Sequence, residues 1–202
     1  MIEQLLSGFQ AMSYWEYIAV FLGLAYIFLA MKQSLWCWPA AFISTSIYTL
    51  LFWQGFLYME SLLNFYYLIM AIYGWWQWRG TRSASLDTLE TKQIQSWTLS
   101  RHATWISAGL IVALVLGFLL DSYTDAKMAY LDSFTTVFAI FATYLVTQKV
   151  LENWLYWVVI DFASVYLYLQ NDYLPTAALF VLYTFMALWG YRVWLKSMRN
   201  TG

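Results

Sequence analysis

Two stretches, Ala71-Ile-Tyr-Gly-Trp-Trp-Gln-Trp78 and Ala187-Leu-Trp-Gly-Tyr-Arg-Val-Trp194, carry the same Gly-x-x-x-Trp pattern at the close of two long apolar segments. The 116-residue interval between them is a register that holds along the chain. It lays Tyr14 on Tyr130, Glu16 on Asp132, Trp38 on Trp154, Gln54 on Gln170, Tyr67 on Tyr183 and Met70 on Met186 without a gap. An aromatic-rich composition produces chance matches, so the glycine–tryptophan pairs weigh more than the number of identities. A repeat at fixed interval predicts two copies of one structural unit.

The medium in which those units fold follows from composition. Of 202 residues, 62% are apolar and only 10% carry Lys, Arg, Asp or Glu, far below the usual quarter of a soluble domain. A spanning helix needs about 20 mostly apolar residues to cross roughly 30 Å of hydrocarbon, because lipid satisfies no backbone amide. Seven stretches meet that demand: 14–31, 36–53, 57–78, 104–121, 128–147, 152–170 and 173–194. The prediction is an all-α integral membrane protein, one transmembrane domain over 1–202. It divides into a first three-helix unit at 14–78, a hydrophilic loop at 79–103, a linker helix at 104–121 and a second three-helix unit at 128–194. Three helices plus one extra crossing leave both units in the same orientation, a 3+1+3 parallel repeat of the kind found in transporters that bind substrate between halves.

Orientation follows from the cations. If the helices alternate, Lys32, Arg79, Arg82, Lys92, Arg101, Lys149, Arg192, Lys196 and Arg199 share one side and Lys127 stands alone on the other. The positive-inside rule then predicts an outer N-terminus and a cytoplasmic C-terminus. The first thirteen residues lack a signal peptide's pattern, so the first helix is expected to stay. Trp36, Trp53, Trp78, Trp105, Trp154 and Trp194 fall near span ends and read as interfacial anchors.

A carboxylate in mid-membrane costs about 2.5–3.5 kcal/mol on insertion scales, and usually marks a pathway. Asp161 lies halfway along the sixth span. Trp154, Trp157 and Asp161 recur at i, i+3 and i+7, setting two indoles and an acid on one stripe that suits a flat cationic ring. The alternative is an internal pairing of Asp161 with Thr or Tyr hydroxyls. Glu60, Asn64, Tyr67 and Ala71 form a second stripe on the third span; Asn64 is either a ligand contact or interhelical glue. Ser44, Thr45, Ser46 and Tyr48 bring hydroxyls into the second span, and the register pairs Thr45 with Asp161. Glu16, Glu60 and Asp132 sit towards the outer ends and read as solvated groups or as an acidic vestibule. Pro39 and Pro175 lie in first turns, where proline is tolerated.

Other chemistries lose their hardware. There is no phosphate loop, no His-Glu-x-x-His and no Gly-x-Ser-x-Gly. Lys196 lies at or beyond the end of the last span, unsuited to a retinal Schiff base. Cys37 and His102 are each the only one of their kind, too few for a disulfide or a structural zinc. No cofactor, enzyme activity or nucleic-acid partner is expected.

The chain resembles the nicotinamide riboside transporters named PnuC over nearly its whole length. The resemblance is carried by Ala71–Trp78, Ala187–Trp194 and Glu152-Asn-Trp-Leu-Tyr-Trp157, with weaker echoes at Trp15-Glu16 and Asp132-Ser133. It implies a SWEET-like fold, a homotrimer, and facilitated diffusion of a vitamin or its precursor across the cell (inner) membrane. It also implies a cytoplasmic kinase that traps the substrate. Asn153, Trp154 and Trp157 match the family's aromatic motif. Asp161 stands where riboside-transporting members are expected to have Asn, Asn64 where Gln is expected, and Ala71 and Trp189 where Asn is common; these departures are expected on pocket-facing stripes. The expected site is therefore Trp154, Trp157, Asp161, Asn64, Asn153, Tyr67 and Thr45, with nicotinamide riboside first. Thiamine, also a cationic ring, follows, and riboflavin, neutral and larger, fits less well. A membrane scaffold that binds another helix bundle is the reading from a different class.

Overall fold

The computed structural model describes residues 12–82, 89–90, 92–124, 128–171 and 173–201. Lys127 of the sequence reading and residues 83–88 and 91 of the hydrophilic loop lie outside the described residues, and only the backbone of Arg82 is described. Among the described residues seven helices follow one another: α1 (Tyr14–Met31), α2 (Cys37–Gln54), α3 (Tyr58–Trp78), α4 (Leu99–Tyr123), α5 (Ala129–Thr147), α6 (Asn153–Gln170) and α7 (Leu174–Thr201). Between α3 and α4 a two-residue strand pair, β1 (Thr81–Arg82) and β2 (Leu89–Glu90), runs antiparallel. Four helices, α1, α4, α5 and α7, are long and apolar enough on their own to cross a membrane. The other three carry inward polar groups such as Ser44, Tyr67 and Asp161.

The 116-residue register reappears in backbone geometry. Gln33 and Lys149 both take a left-handed conformation, at φ 55° and 51°, which costs a side chain-bearing residue about 1 kcal/mol. Around them Ser34 N bonds Leu29 O at 2.9 Å and Val150 N bonds Leu145 O at 3.0 Å; Cys37 N to Ser34 O and Asn153 N to Val150 O are both 3.1 Å. The α1–α2 and α5–α6 turns are thus the same turn, drawn twice. Leu57 N to Phe52 O and Tyr173 N to Tyr168 O repeat the correspondence at the other end.

Helix α1 packs on α2, α2 on α3, α3 on α5, α5 on α6, α6 on α7, and α7 back on α1. Six helices therefore close a ring, and α4 stands outside it against α5. Its buried residues are only His102, Ala113 and Gly117, so most of its apolar surface is left exposed. The ring has a basic end, where Lys32, Arg79, Lys92 and Lys149 gather, and an acidic end with Glu16, Glu60 and Asp132.

Glycine decides the closest helix contacts. A Cβ on Gly190 would lie 2.6 Å from Trp154 Cε3, and one on Gly74 would collide with the Trp38 ring. The indoles of α2 and α6 are therefore seated on bare backbone of α3 and α7. Trp38 meets Trp78 edge to face at 5.1 Å, Trp154 meets Trp194 at 5.4 Å, and Trp78 meets Trp194 at 6.0 Å. Trp78 Nε1 donates to Thr147 O (3.1 Å) and Trp194 Nε1 to Ala30 O (3.0 Å).

This corrects the reading of Trp78, Trp154 and Trp194 as interfacial anchors: they are 3%, 4% and 0% exposed. A glycine one turn away and a helix-terminal carbonyl opposite give the indole more than a headgroup would. Trp36, Trp53 and Trp105 do lie exposed. Helix α4 also starts at Leu99 rather than at 104, because the residues before it are tied to the ring, as described below.

Adding a methyl to a filled seat forces strain of about 1–3 kcal/mol. Gly190→Ala is expected to lower the thermal unfolding midpoint in detergent. Gly23→Ala is expected to leave it nearly unchanged, because its nearest neighbours, Ser44 Oγ at 3.6 Å and Tyr183 OH at 3.8 Å, are at ordinary contact distance. Equal effects from both would refute the seat.

Candidate functional site

Asp161 sits on the stripe of α6 that faces into the ring, with Trp154, Trp157 and Ser164, and is 3% exposed. It lies within electrostatic reach of Tyr67 on α3 and Tyr183 on α7, the two tyrosines that the 116-residue register superposes. Among the described residues no hydrogen-bond donor is paired with its carboxylate. A buried acid without a partner has electrostatic capacity left for a guest.

Further hydroxyls lead outward from this group. Tyr183 is coupled to Tyr48, and Tyr48 to Glu16; Tyr67 is coupled to Tyr168, and Tyr168 to Asp132 and Glu60. Tyrosines from four different helices thus lie in electrostatic succession between the acidic end and Asp161. Tyr26 of α1, coupled to Tyr67, continues towards the basic end.

The expected site residues divide into two sets. Asp161, Tyr67 and Asn64 face the ring interior, with Asn64 Nδ2 donating to Glu60 O at 2.9 Å. Trp157 is half-buried and packs against both apolar cores of the molecule. Thr45 donates to Ala41 O at 2.8 Å within its own helix. Asn153 and Trp154 lie about 10 Å along α6 from Asp161, given the rise per helical residue. Asn153 is fully buried and donates to Val150 O at 2.6 Å, closing the α5–α6 turn, and Trp154 fills the Gly190 seat.

Two further expectations change. Trp189 points out of the ring at 58% exposure and so lies off the inward-facing stripe, whereas Ala71 continues the Asn64–Tyr67 stripe and is closed in the core at 2%. Residue 189 falls on the outward face with Phe185 and Leu182, one turn-fraction away from the inward Gly190 and Ala187. Glu16 forms a capping box with Ser13 at the start of α1, so it serves the helix terminus as well as any vestibule. Tyr183, Tyr48 and Tyr168 were not singled out from sequence as site residues; the register pairing Tyr67 with Tyr183 was the signal available for the first.

Glu152, which opens the Glu-Asn-Trp element, faces away from this site. It accepts from Ser96 Oγ and from Trp97 N (3.3 Å), and lies 3.6 Å from His102 Nε2. His102 Nδ1 is 2.9 Å from Tyr156 OH, and Arg101 lies 3.7 Å above the Trp97 ring. The carboxylate thus ties the start of α4 to the start of α6. An open apolar groove of about 350 Å³ between α4 and α5, lined by Leu110, Ala113, Leu114, Tyr130, Leu131 and Phe134, lies on the outside of the ring.

A closed ring of apolar helices around a polar axis, with one helix outside, defines a multi-pass membrane protein built for passage of a small solute. The family model described as nicotinamide mononucleotide transporter matches residues 13–196, and the chain belongs to that family of membrane transporters. It is similar to the riboflavin/roseoflavin transporter RibM of Streptomyces davaonensis, 29% identical over 89% of this chain and 84% of that protein. It is also similar to the nicotinamide riboside transporter PnuC of Escherichia coli, 27% identical over 97% of this chain and 91% of that one. A crystal structure of the vitamin B3 transporter PnuC has the same fold, with a TM-score of 0.76 at 21% identity, over the whole of this chain and 88% of that one.

Glu152→Gln keeps the shape and removes the charge from the α4 tether, a loss of about 1 kcal/mol or roughly fivefold in local opening. Trypsin added from the basic side is expected to cut at Lys92 and Arg101 several-fold faster; an unchanged rate would mean that the carboxylate does not hold this segment.

Proposed function

We propose that the chain is a passive transporter of a flat, cationic vitamin precursor, nicotinamide riboside first, bound at Asp161 between the two three-helix units. The observation that carries this reading is the buried carboxylate of Asp161, which accepts no hydrogen bond among the described residues and lies within electrostatic reach of Tyr67 and Tyr183. A positively charged pyridinium ring supplies the missing counter-charge, and aromatic faces attract it through their quadrupoles. The ribose hydroxyls find donors and acceptors among Tyr48, Tyr168 and Asn64. Trp157 is close in sequence to Asp161 on the same stripe and is proposed as a stacking face; Thr45 is proposed on the opposite helix through the register. Asn153 and Trp154 are proposed as the frame that sets the height of α6.

In this reading all seven helices cross the bilayer, with the acidic end outside and the basic end in the cytoplasm. The units α1–α3 and α5–α7 are parallel repeats in a SWEET-like 3+1+3 arrangement joined by α4. Assembly as a homotrimer through outer faces such as that of α4, and trapping of the delivered substrate by a cytoplasmic kinase, complete the proposal. No ion need be coupled to a downhill flux drained by phosphorylation. Thiamine carries a comparable ring charge and is the nearest competing cation.

Riboflavin is a second reading, favoured by the relative RibM. It is neutral and would use Asp161 only as a hydrogen-bond acceptor. The two readings separate in proteoliposomes without any gradient, where labelled nicotinamide riboside, thiamine and riboflavin are offered in turn. Equilibration of the riboside is the expected result. Asp161→Asn should weaken it about 10- to 100-fold, from the roughly 1.5–3 kcal/mol carried by a charge-assisted bond, while changing riboflavin or a neutral analogue much less. Equal losses for charged and neutral compounds, or exchange of riboflavin alone, would replace the cationic reading.

A further inference from the structure

The two ends of the ring are held together very differently. Side-chain hydrogen bonds that join α1–α3 and their turns to α5–α7 and theirs gather, among the described residues, at the basic end; Tyr66 to Ile140 O, near mid-span, is the exception. At the acidic end Glu60 and Asp132, two acids, lie within electrostatic reach of each other across the same boundary.

The centre of the basic end is a contact between the two equivalent turns. Lys149 Nζ donates to Gln33 Oε1 at 3.3 Å and lies 4.6 Å over the Trp78 ring, and Gln33 Nε2 donates to Ser197 Oγ at 2.9 Å. Lys149 is 4% exposed, and no carboxylate pairs with it among the described residues. Both residues adopt left-handed backbone at positions where no glycine is used, so the chain accepts strain to present these two side chains to one another. Beneath them Trp78 and Trp194 fill the axis.

We infer that the Gln33–Lys149 contact, floored by Trp78 and Trp194, is the latch of a gate that shuts the basic end of the ring. The inference rests on the reading of the chain as a transporter. A charge held by an amide oxygen and an indole face is anchored enough to close and is released without stranding a buried counter-ion. The turn carrying Lys149 is itself strapped: Gln95 N bonds Lys149 O at 3.0 Å, Leu151 N bonds Gln95 O at 2.8 Å, and Lys92 Nζ bonds Gln148 Oε1 at 2.6 Å. No such strap reaches the Gln33 turn among the described residues, so opening moves Gln33 and α1–α2 away from a fixed Lys149.

The test uses the full chain in membrane vesicles of both orientations. Cys37→Ser removes the native thiol, and Ser44→Cys places a buried reporter at the α1–α2 contact, where Ser44 Oγ and the Tyr183 hydroxyl both border Gly23. Lys149→Met and, separately, Gln33→Leu are expected to raise labelling by a membrane-impermeant thiol reagent from the basic side at least tenfold, with Lys149→Arg restoring the slow rate. Unchanged labelling in variants that keep the parent's unfolding midpoint overturns the latch. Should either variant misfold, Gln33→Cys with Lys149→Cys, bridged by a flexible bis-maleimide, gives the second measurement. The bridge should stop reporter labelling from the basic side under all conditions, and continued labelling or transport overturns the proposal. Labelling needs no vitamin: a reporter that opens on cutting the latch in a chain that carries none of the three vitamins refutes the substrate reading alone, and riboside transport with unaltered labelling refutes the latch alone.

Discussion

Indole seated on glycine is the contact from which the rest of this molecule is arranged. Lipid offers helices no hydrophobic reason to associate, since a hydrocarbon tail is as apolar as a leucine, so close packing and interhelical hydrogen bonds must hold the bundle together. Gly74 and Gly190 remove the side chain at the one point where Trp38 and Trp154 need the space. The bulk of each indole then sets the distance between neighbouring helices. Trp78 and Trp194, one turn further on, carry the contact across the ring and end in hydrogen bonds to Thr147 and Ala30 carbonyls.

From that frame the polar axis follows. The seats are near the basic end, so the helices are pinned there, and the stripes that continue from them run inward along α3, α6 and α7. Tyr67 and Tyr183 descend from the two Gly-x-x-x-Trp elements by about two turns each, which brings both to the level of Asp161. An acid that would be costly in lipid is buried inside the ring, 3% exposed. The family relationship and this geometry agree: passage of a small solute requires a polar interior inside an apolar ring, and both are present.

Symmetry and its breach have separate uses here. The paired turns, seats and tyrosines recur at the 116-residue interval. In the 116-residue register Asp161 corresponds to Thr45 and Lys149 to Gln33, so at these two pairs charge is found on one side only. Two acids or two lysines facing one another across an axis would repel; an acid opposite a hydroxyl, or a lysine opposite an amide, can serve a ligand or a latch. The long loop adds a further asymmetry, since it straps the second unit's turn through Gln95 and ties α4 through Glu152.

Much of this was legible in the order of residues. Helix count, helix bounds to within a few positions, the duplication and the candidacy of Asp161 all follow from hydrophobic length and a fixed interval, quantities that need no knowledge of neighbours. The fate of individual tryptophans was not legible. Trp36 and Trp78 both end spans, yet the first is exposed and the second is buried, because only the three-dimensional position of a glycine or a carbonyl on another helix distinguishes a seat from a headgroup anchor. The same holds for Trp189 and Gly190, adjacent in sequence and opposite in direction, and for Lys149, which counts as one more cation in the sequence and becomes a buried contact to Gln33 in the fold. Local pattern decides which segments become helices; which faces meet depends on the packing of all six around the ring, and that is settled only when the ring closes.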